Sequence, residues 1–489
     1  MGILLTAFVV FVAYQILYRV VRAIVNPVSK LPGPWHSKFT SLGIRYHLLT
    51  GTRSHYIDEQ FKRYGPVVRL EPYQVATSDH LLWEDINRMG TPFRKTPRHD
   101  KMRIGPEPFL FSMTDVKLHS SRRKLFSRAL SLDVLRKNWE KQIRAKIDNC
   151  VDLIKKQATE GTADVHRWWL VMTGDIIALL SFGESFNMVE NWAKGKSDDY
   201  LHALEDAGVN ILLRGLMPFG LSLLARILPF KRLKEIVGAN QVVYDRGAIA
   251  VENLRNVKLD KPNLFSQMLA AAEKSEYGVL TDDAIRSEAA GMLIAGADTS
   301  GSALTYVVWE VLKRPDLQKR LEDEVAKLDP DFTDEDLERL PLMNNVIDEV
   351  LRLRSPASGT LLRQTGPGGV VWHGHYIPAN TMVVTQQWTM VRDEKLFPDA
   401  EKFDETRFEH ATATQRRVAQ PFGLGARSCI GIHLAKMELR LATAVFFRKC
   451  RGARISKNMT NDMMEQLMKF FTYPKGGRLD ITFNEELAQ

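Results

Sequence analysis

The chain has 489 residues and only three cysteines, Cys150, Cys429 and Cys450. Cys429 stands in a setting that the other two lack. Phe422, Gly425, Arg427 and Gly431 surround it at fixed spacing, and a helical pattern (Ile432, Leu434, Ala435, Leu439) starts directly afterwards. A thiolate is both a nucleophile and a metal ligand, and positive potential favours it. The free backbone N–H groups at a helix start supply that potential. Gly425 and Gly431 let the backbone approach a flat ring system closely. Arg427 can pair with an anionic substituent, and Phe422 can shield the sulfur from water. Most lone cysteines are simply small buried hydrophobes. Against that, five fixed positions coincide by chance about once in several million windows. No C-x-x-C pair occurs, which argues against a structural zinc site. So few cysteines in so long a chain fit a reducing compartment.

Further polar groups stand at suggestive places. Ala295, Gly296, Ala297, Asp298, Thr299 and Ser300 form a run of small and polar residues inside a long helical stretch. Such a patch lowers helix propensity, which has two explanations. One is tight helix–helix packing, with a threonine bonding back to a carbonyl. The other is a groove in which Asp298 and Thr299 pass protons to a reacting group. Glu349 and Arg352 lie one helical turn apart and can meet. Arg407 follows in the segment between Phe403 and Phe408. His119, Arg123 and Arg363 are candidate anion-binding groups or ordinary solvated charges.

Together these residues resemble the cytochrome P450 family. Residues 422–431 match its F-x-x-G-x-R-x-C-x-G signature at every fixed position, and the other motifs follow in family order: His119 with Arg123, then 295–300, then Glu349 with Arg352, Arg363 and Arg407. The resemblance covers nearly the whole chain. It implies haem b with Cys429 as the axial thiolate, which favours O–O cleavage. Phe422, Gly425, Arg427 and Gly431 would then shape the haem-side loop, and His119, Arg123 and Arg363 would face the propionates. Asp298 and Thr299 would relay protons. Glu349, Arg352 and Arg407 would form a structural triad, although Glu405 and Thr406 stand where Pro and Glu are usual.

The elements that must position these groups are mostly helical. Residues 134–157 and 281–313 carry the clearest helical patterns, and another helix is expected from 316 to 328. Short strands are expected at 66–70, 74–77, 370–377 and 382–385. The expected fold is mainly α with a small β portion, one large domain over residues 41–489. Ahead of it, residues 1–25 read as a transmembrane signal anchor, apolar from Ile3 to Leu17 and followed by Arg19 and Arg22. Residues 26–40 read as a Pro-rich hinge around Pro32, Gly33 and Pro34. Basic residues after the apolar run place the body on the cytosolic side, and the family context implies the endoplasmic reticulum.

The net charge of +9 fits acidic partners or anionic lipid. No basic, aromatic-interleaved stretch suggests nucleic acid. No flavin or nicotinamide motif is present, so the resemblance implies electrons from NADPH through a separate NADPH–cytochrome P450 reductase, with Lys436 and Arg440 as candidate contacts. The expected activity is insertion of one oxygen atom from O2 into a hydrophobic small molecule, in the style of fungal secondary-metabolite members (polyketide, terpenoid or alkaloid). The resemblance implies that residues 101–116 form the loop over the haem; the apolar stretch 209–230 reads as core or as a second membrane contact and entry route; and residues 357–362 and 471–473, with Ala290, Ile294 and Ala295, are expected to face the substrate. Open alternatives are a haem-thiolate desaturase, ring-forming oxidase or isomerase, and a non-catalytic haem-binding membrane protein.

Overall fold

The computed structural model describes residues 2–196, 199–216, 227–256, 263–272, 280–357 and 359–489. The expected apolar contact at 209–230 lies partly outside these residues, as does position 358. The fold is mainly α with a small β portion, as the sequence suggests. Packing groups the chain into two compact units.

The first unit comprises Met1–Thr96, Gly359–Leu396 and Leu424–Arg427. It opens with the helix Gly2–Val25, whose most apolar stretch has a mean hydropathy of 2.0 and is not buried. At 24 residues the helix is about 36 Å long, enough to cross a bilayer core of about 30 Å. A four-stranded sheet follows, with Val67–Glu71 and Gln74–Thr77 antiparallel, then Met382–Gln386 parallel to the second and antiparallel to Thr360–Gln364. Val28, Leu31, Val67, Val75, Ile86 and Val383 form one of its cores. The expected single strand at 370–377 is a hairpin of Val370–Trp372 and His375–Ile377. His373 and Gly374 take positive φ between them, which folds the chain back.

The Pro-rich segment after the first helix is a fixed bend rather than a loose connection. The guanidinium of Arg69, itself wholly buried, fills it. Its Nε donates to Ser37 Oγ (2.9 Å), Nη1 to the carbonyls of Ser29 (3.0 Å) and Leu31, and Nη2 to those of Gly33 (3.3 Å) and Pro34 (2.9 Å). All five donors are used. Gly33 has φ +151°, and a Cβ there would lie 2.5 Å from the Arg69 carbonyl oxygen. Only glycine permits that approach.

The second unit comprises Pro97–Ser358, Phe397–Gly423 and Ser428–Gln489. Its axis is the 31-residue helix Asp282–Leu312. Thr281 caps it by accepting the Ala284 N–H (3.1 Å), and Asp282 and Asp283 sit in its first turn, where the helix dipole favours acids. Pro315 starts the next helix, Pro315–Ala326. The expected helix at 134–157 is two, Leu132–Asn138 and Glu140–Glu160, parted at Trp139. Helices Val165–Phe182, Pro341–Arg354 and Ile432–Lys449 pack with the central helix around one large apolar core.

Candidate active site

Cys429 lies two residues before Gly431, the N-cap of Ile432–Lys449. Its own N–H donates to the Phe422 carbonyl at 2.8 Å, closing the loop. Phe422 packs on the main core. The Cys429 side chain is accessible, although protein surrounds most of it. That desolvation raises the thiol pKa, opposed by the Gly431 N–H hydrogen bond and by the Arg123 charge. The sulfur thus sits in a socket open on one side, with a backbone donor and a cation arranged for its anionic form. Cys150 and Cys450 are buried, and burial pushes both thiols up. They are core residues.

Arg123 and His119 share a face of the helix Val116–Ala129. Arg123 reaches the Ser428 carbonyl (2.7 Å) and Ser428 Oγ (3.0 Å), next to the cysteine. His119 is buried.

In the first unit, Gly425–Arg427 forms a short turn against Asn87. Gly425 has φ +66°, and a Cβ there would lie 1.9 Å from the Asn87 carbonyl oxygen. This glycine is therefore required twice over. The Asn87 side chain also accepts from Arg363 Nη2 at 3.2 Å. Arg363 is buried on neutral acceptors, and desolvation lowers it to about 10. Lys95, which the sequence reading missed, completes a group of three cations with Arg363 and Arg427. Burial holds Lys95 well below the usual lysine range, and the charges of Arg427 and Arg363 add to this. Together the three give this part of the unit a positive potential. The only sequence signal for Lys95 is the basic pair Arg94-Lys95.

The central helix carries both features weighed from the sequence. A Cβ on Gly296 would lie 2.8 Å from Ile177 Cγ1, so this glycine admits the helix Val165–Phe182 closely. Thr299 Oγ1 bonds back to the Ala295 carbonyl at 2.7 Å. Yet Ala295 is exposed and Thr299 half-exposed, so this face of the helix opens at mid-length. Asp298, one turn on from Ala295, is wholly buried. Its Oδ2 accepts from the Tyr473 hydroxyl at 3.1 Å, while Oδ1 has no hydrogen-bond partner. Burial, reinforced by Glu205, raises Asp298 to about 7, and the Tyr473 bond and Arg167 oppose the shift. Nearby, Ser300 bonds Glu438, another fully buried acid pushed up to about 8 by desolvation.

Glu349 and Arg352 form a buried bidentate pair at 2.7 and 2.8 Å. Arg407 Nε joins at 3.1 Å, and the Asp404 N–H adds a further donor at 3.1 Å. Arg407 also donates to the carbonyls of Pro398, Asp399 and Lys402, which pins that meander. The unusual Glu405 and Thr406 are accommodated: Glu405 pairs with Arg320 at 2.7 Å, and Thr406 bonds Asp404.

Some expectations need correction. Ala290 and Ile294 are buried in the main core and do not face an open space. Phe471 is likewise buried. Arg440 is held by Asp334 through two bonds, at 2.7 and 2.9 Å, and by Glu338 at 3.3 Å, so it is not available as a docking cation. Lys436 remains exposed.

The donor set fits haem. Among the described residues, no cluster of three or more His, Cys, Asp or Glu side chains could hold a bare metal ion. A metal on Cys429 would need its remaining ligands from a macrocycle. A family profile for cytochrome P450 matches residues 32–481.

The chain belongs to the cytochrome P450 family.

It is 37% identical to cytochrome P450 monooxygenase stcB of Emericella nidulans, over 94% of this chain and 89% of that one. It is also 37% identical to cytochrome P450 monooxygenase cypX of Dothistroma septosporum, over 96% and 94%. Among solved structures, the haem domain of cytochrome P450DA superposes with a TM-score of 0.77 at 18% identity, covering 93% of this chain and 98% of that one, which supports the fold. The chain is thus a haem-thiolate monooxygenase, using O2, a redox partner and a small-molecule substrate.

Proposed function

We propose that this P450 inserts one oxygen atom into a hydrophobic intermediate of fungal secondary metabolism. Cys429 would hold the haem iron through its thiolate. The observation that carries this assignment is its open socket, with Gly431 N–H on the sulfur and Arg123 alongside. Arg123, His119, Arg363 and Arg427 would hold the propionates. Phe422, Gly425 and Gly431 shape the loop that carries Cys429 and would hold the haem. Bound there, haem supplies dioxygen activation and oxygen-atom transfer. Thr299 holds a proton at Oγ1 on the open face of the helix, and Asp298, poised near neutrality, replenishes it from the buried side. Glu349, Arg352 and Arg407 fix the meander that precedes the cysteine loop.

Residues 41–489 act as the catalytic body, 1–25 as the anchor and 26–40 as the connection between them. The Arg19 and Arg22 side chains after the apolar run support a cytosolic body on the endoplasmic reticulum. NADPH–cytochrome P450 reductase would supply the electrons, with the exposed Lys436 on the cysteine side. The fungal relatives support the secondary-metabolite setting.

The test is co-expression with a reductase, feeding of metabolite extracts under isotopically labelled O2, and mass analysis. The expected product carries one labelled oxygen. A product that loses two hydrogens without label would replace this reading with desaturation or ring formation.

A further inference from the structure

A cavity of about 430 Å³ lies in the first unit, where the helix Gly2–Val25 meets the turns that follow it. Four cations line it, Arg19, Arg22, Lys38 and Arg45, and no Asp or Glu does. None of the four has an ion-pair partner among the described residues. The Arg45 Nε is buried and has no hydrogen-bond partner. A buried donor of a permanent cation left unmatched is costly, and an anionic acceptor would satisfy it.

Aromatic side chains fix the wall. Arg22 donates to the Tyr18 hydroxyl at 2.7 Å and lies over the Tyr18 and Tyr73 rings, 5.1 and 4.7 Å from their centroids. Asn26 ties the end of the helix to the Pro72 carbonyl at 2.6 Å. The cavity is therefore preorganised. Its volume is that of a small-ligand pocket, more than a bare ion needs.

We propose that this cavity binds the phosphate-bearing headgroup of an anionic phospholipid. The argument rests on reading the first helix as a membrane anchor. From Ile3 to Arg22 the helix rises about 28 Å, close to a bilayer core of about 30 Å, so Arg22 lies at headgroup depth and the Tyr18 and Arg19 side chains reach it by extending outward, as tyrosine and arginine do at the interface. Exposed Ile16, Leu17, Val20 and Val21 on the same helix offer an apolar surface for the acyl chains. Lys38 and Arg45 come from the body, so a bound headgroup would bridge the anchor and the folded unit. This depth and this apolar neighbourhood favour a lipid over a soluble phosphate.

The full-length protein in detergent should be offered equal amounts of phosphatidic acid and phosphatidylcholine and examined by native mass spectrometry. Preferential retention of phosphatidic acid is expected. The double variant Lys38→Gln with Arg45→Gln should reduce that retention roughly tenfold or more, at about 1 kcal/mol per cation, and leave phosphatidylcholine unaffected. An unchanged reduced carbon-monoxide spectrum identifies the variant as folded. Equal retention of the two lipids by the wild type, or an undiminished preference in the variant, overturns the proposal. So does displacement of phosphatidic acid by inorganic phosphate, which would assign the cavity to a soluble ligand. Release of the protein from microsomes by alkaline carbonate would instead count against the anchor itself, separately from the detergent result.

Discussion

The Tyr473 hydroxyl donates to Asp298 Oδ2 at 3.1 Å, joining a strand near the C-terminus to the acid at the middle of the central helix. Asp298 is wholly buried and its other oxygen is unmatched. Among the described residues, the tyrosine is the one hydrogen-bond donor that favours the carboxylate over the acid. It is a positioning residue, because it acts through Asp298. Removing it should raise Asp298 above its value of about 7. In Tyr473→Phe, the midpoint of the pH dependence of coupling, measured as product formed per O2 consumed, should move up by roughly half to one unit, the equivalent of one hydrogen bond. Substrate affinity should change little. An unmoved midpoint with altered affinity would make Tyr473 a pocket wall only.

Three buried acids give the fold an unusual pH response. Asp298 and Glu288 are raised to about 7 and Glu438 to about 8, each chiefly by desolvation. Glu288 is partly compensated by Arg122 at 3.0 Å and by the Leu110 N–H. In the unfolded chain such groups titrate near about 4. Between about 4 and the folded values, the native state holds protons that the unfolded state has released. The stability from these groups is therefore complete below about 4 and is lost as pH rises through 7 to 8. Each group contributes a slope of about −1.4 kcal/mol per pH unit within its window. Asp298→Asn and Glu438→Gln should each flatten the fall of denaturation midpoint with pH, and each variant should be relatively more stable at the alkaline end. A slope identical to wild type in both would contradict the buried, protonated assignment.

The two glycines of the cysteine loop should differ sharply. Gly425 has φ +66° and no room for a Cβ beside Asn87, whereas a Cβ on Gly431 would meet Cys429 Sγ at an ordinary 3.9 Å. Gly425→Ala should destabilise the protein by about 3 kcal/mol or more and abolish haem incorporation. Gly431→Ala should fold, with its effect confined to the ligand environment and visible as a shifted absorption band. Equal stability of the two variants would show that the turn is not strained by the Asn87 contact.

What the sequence made legible follows a physical pattern. The long helix at 282–312 was readable because Thr281, Asp282 and Asp283 mark its start and Pro315 bars its continuation. Glu349 and Arg352 were readable because helical spacing alone brings them together. Arg407 needed the family resemblance, since nothing local brings it to Glu349 across 58 positions. Lys95 and Glu438 escaped notice because their importance comes from burial and long-range contact, which leave no periodicity; Tyr473 is expected from the sequence only to face the substrate, and its bond to Asp298 is hidden for the same reason. Arg69 escaped for the same reason: in sequence it is one arginine in a strand, and only folding wraps the Pro-rich segment around it. The hairpin at 372–375 shows the opposite failure. Two short runs read as one, because the left-handed turn between them is only His373 and Gly374 and lacks the Asn-Gly or Asp-Gly pair that signals a two-residue hairpin.

The most direct measurement is the reduced carbon-monoxide difference spectrum of the wild type beside Cys429→Ser, with haem content determined on the same samples. If Cys429 ligates the iron, the wild type shows the thiolate-type band, and the serine variant loses both that band and turnover while still giving the circular dichroism of a folded helical protein. A serine variant that retains the thiolate-type band and normal turnover would place the ligand elsewhere and contradict the account.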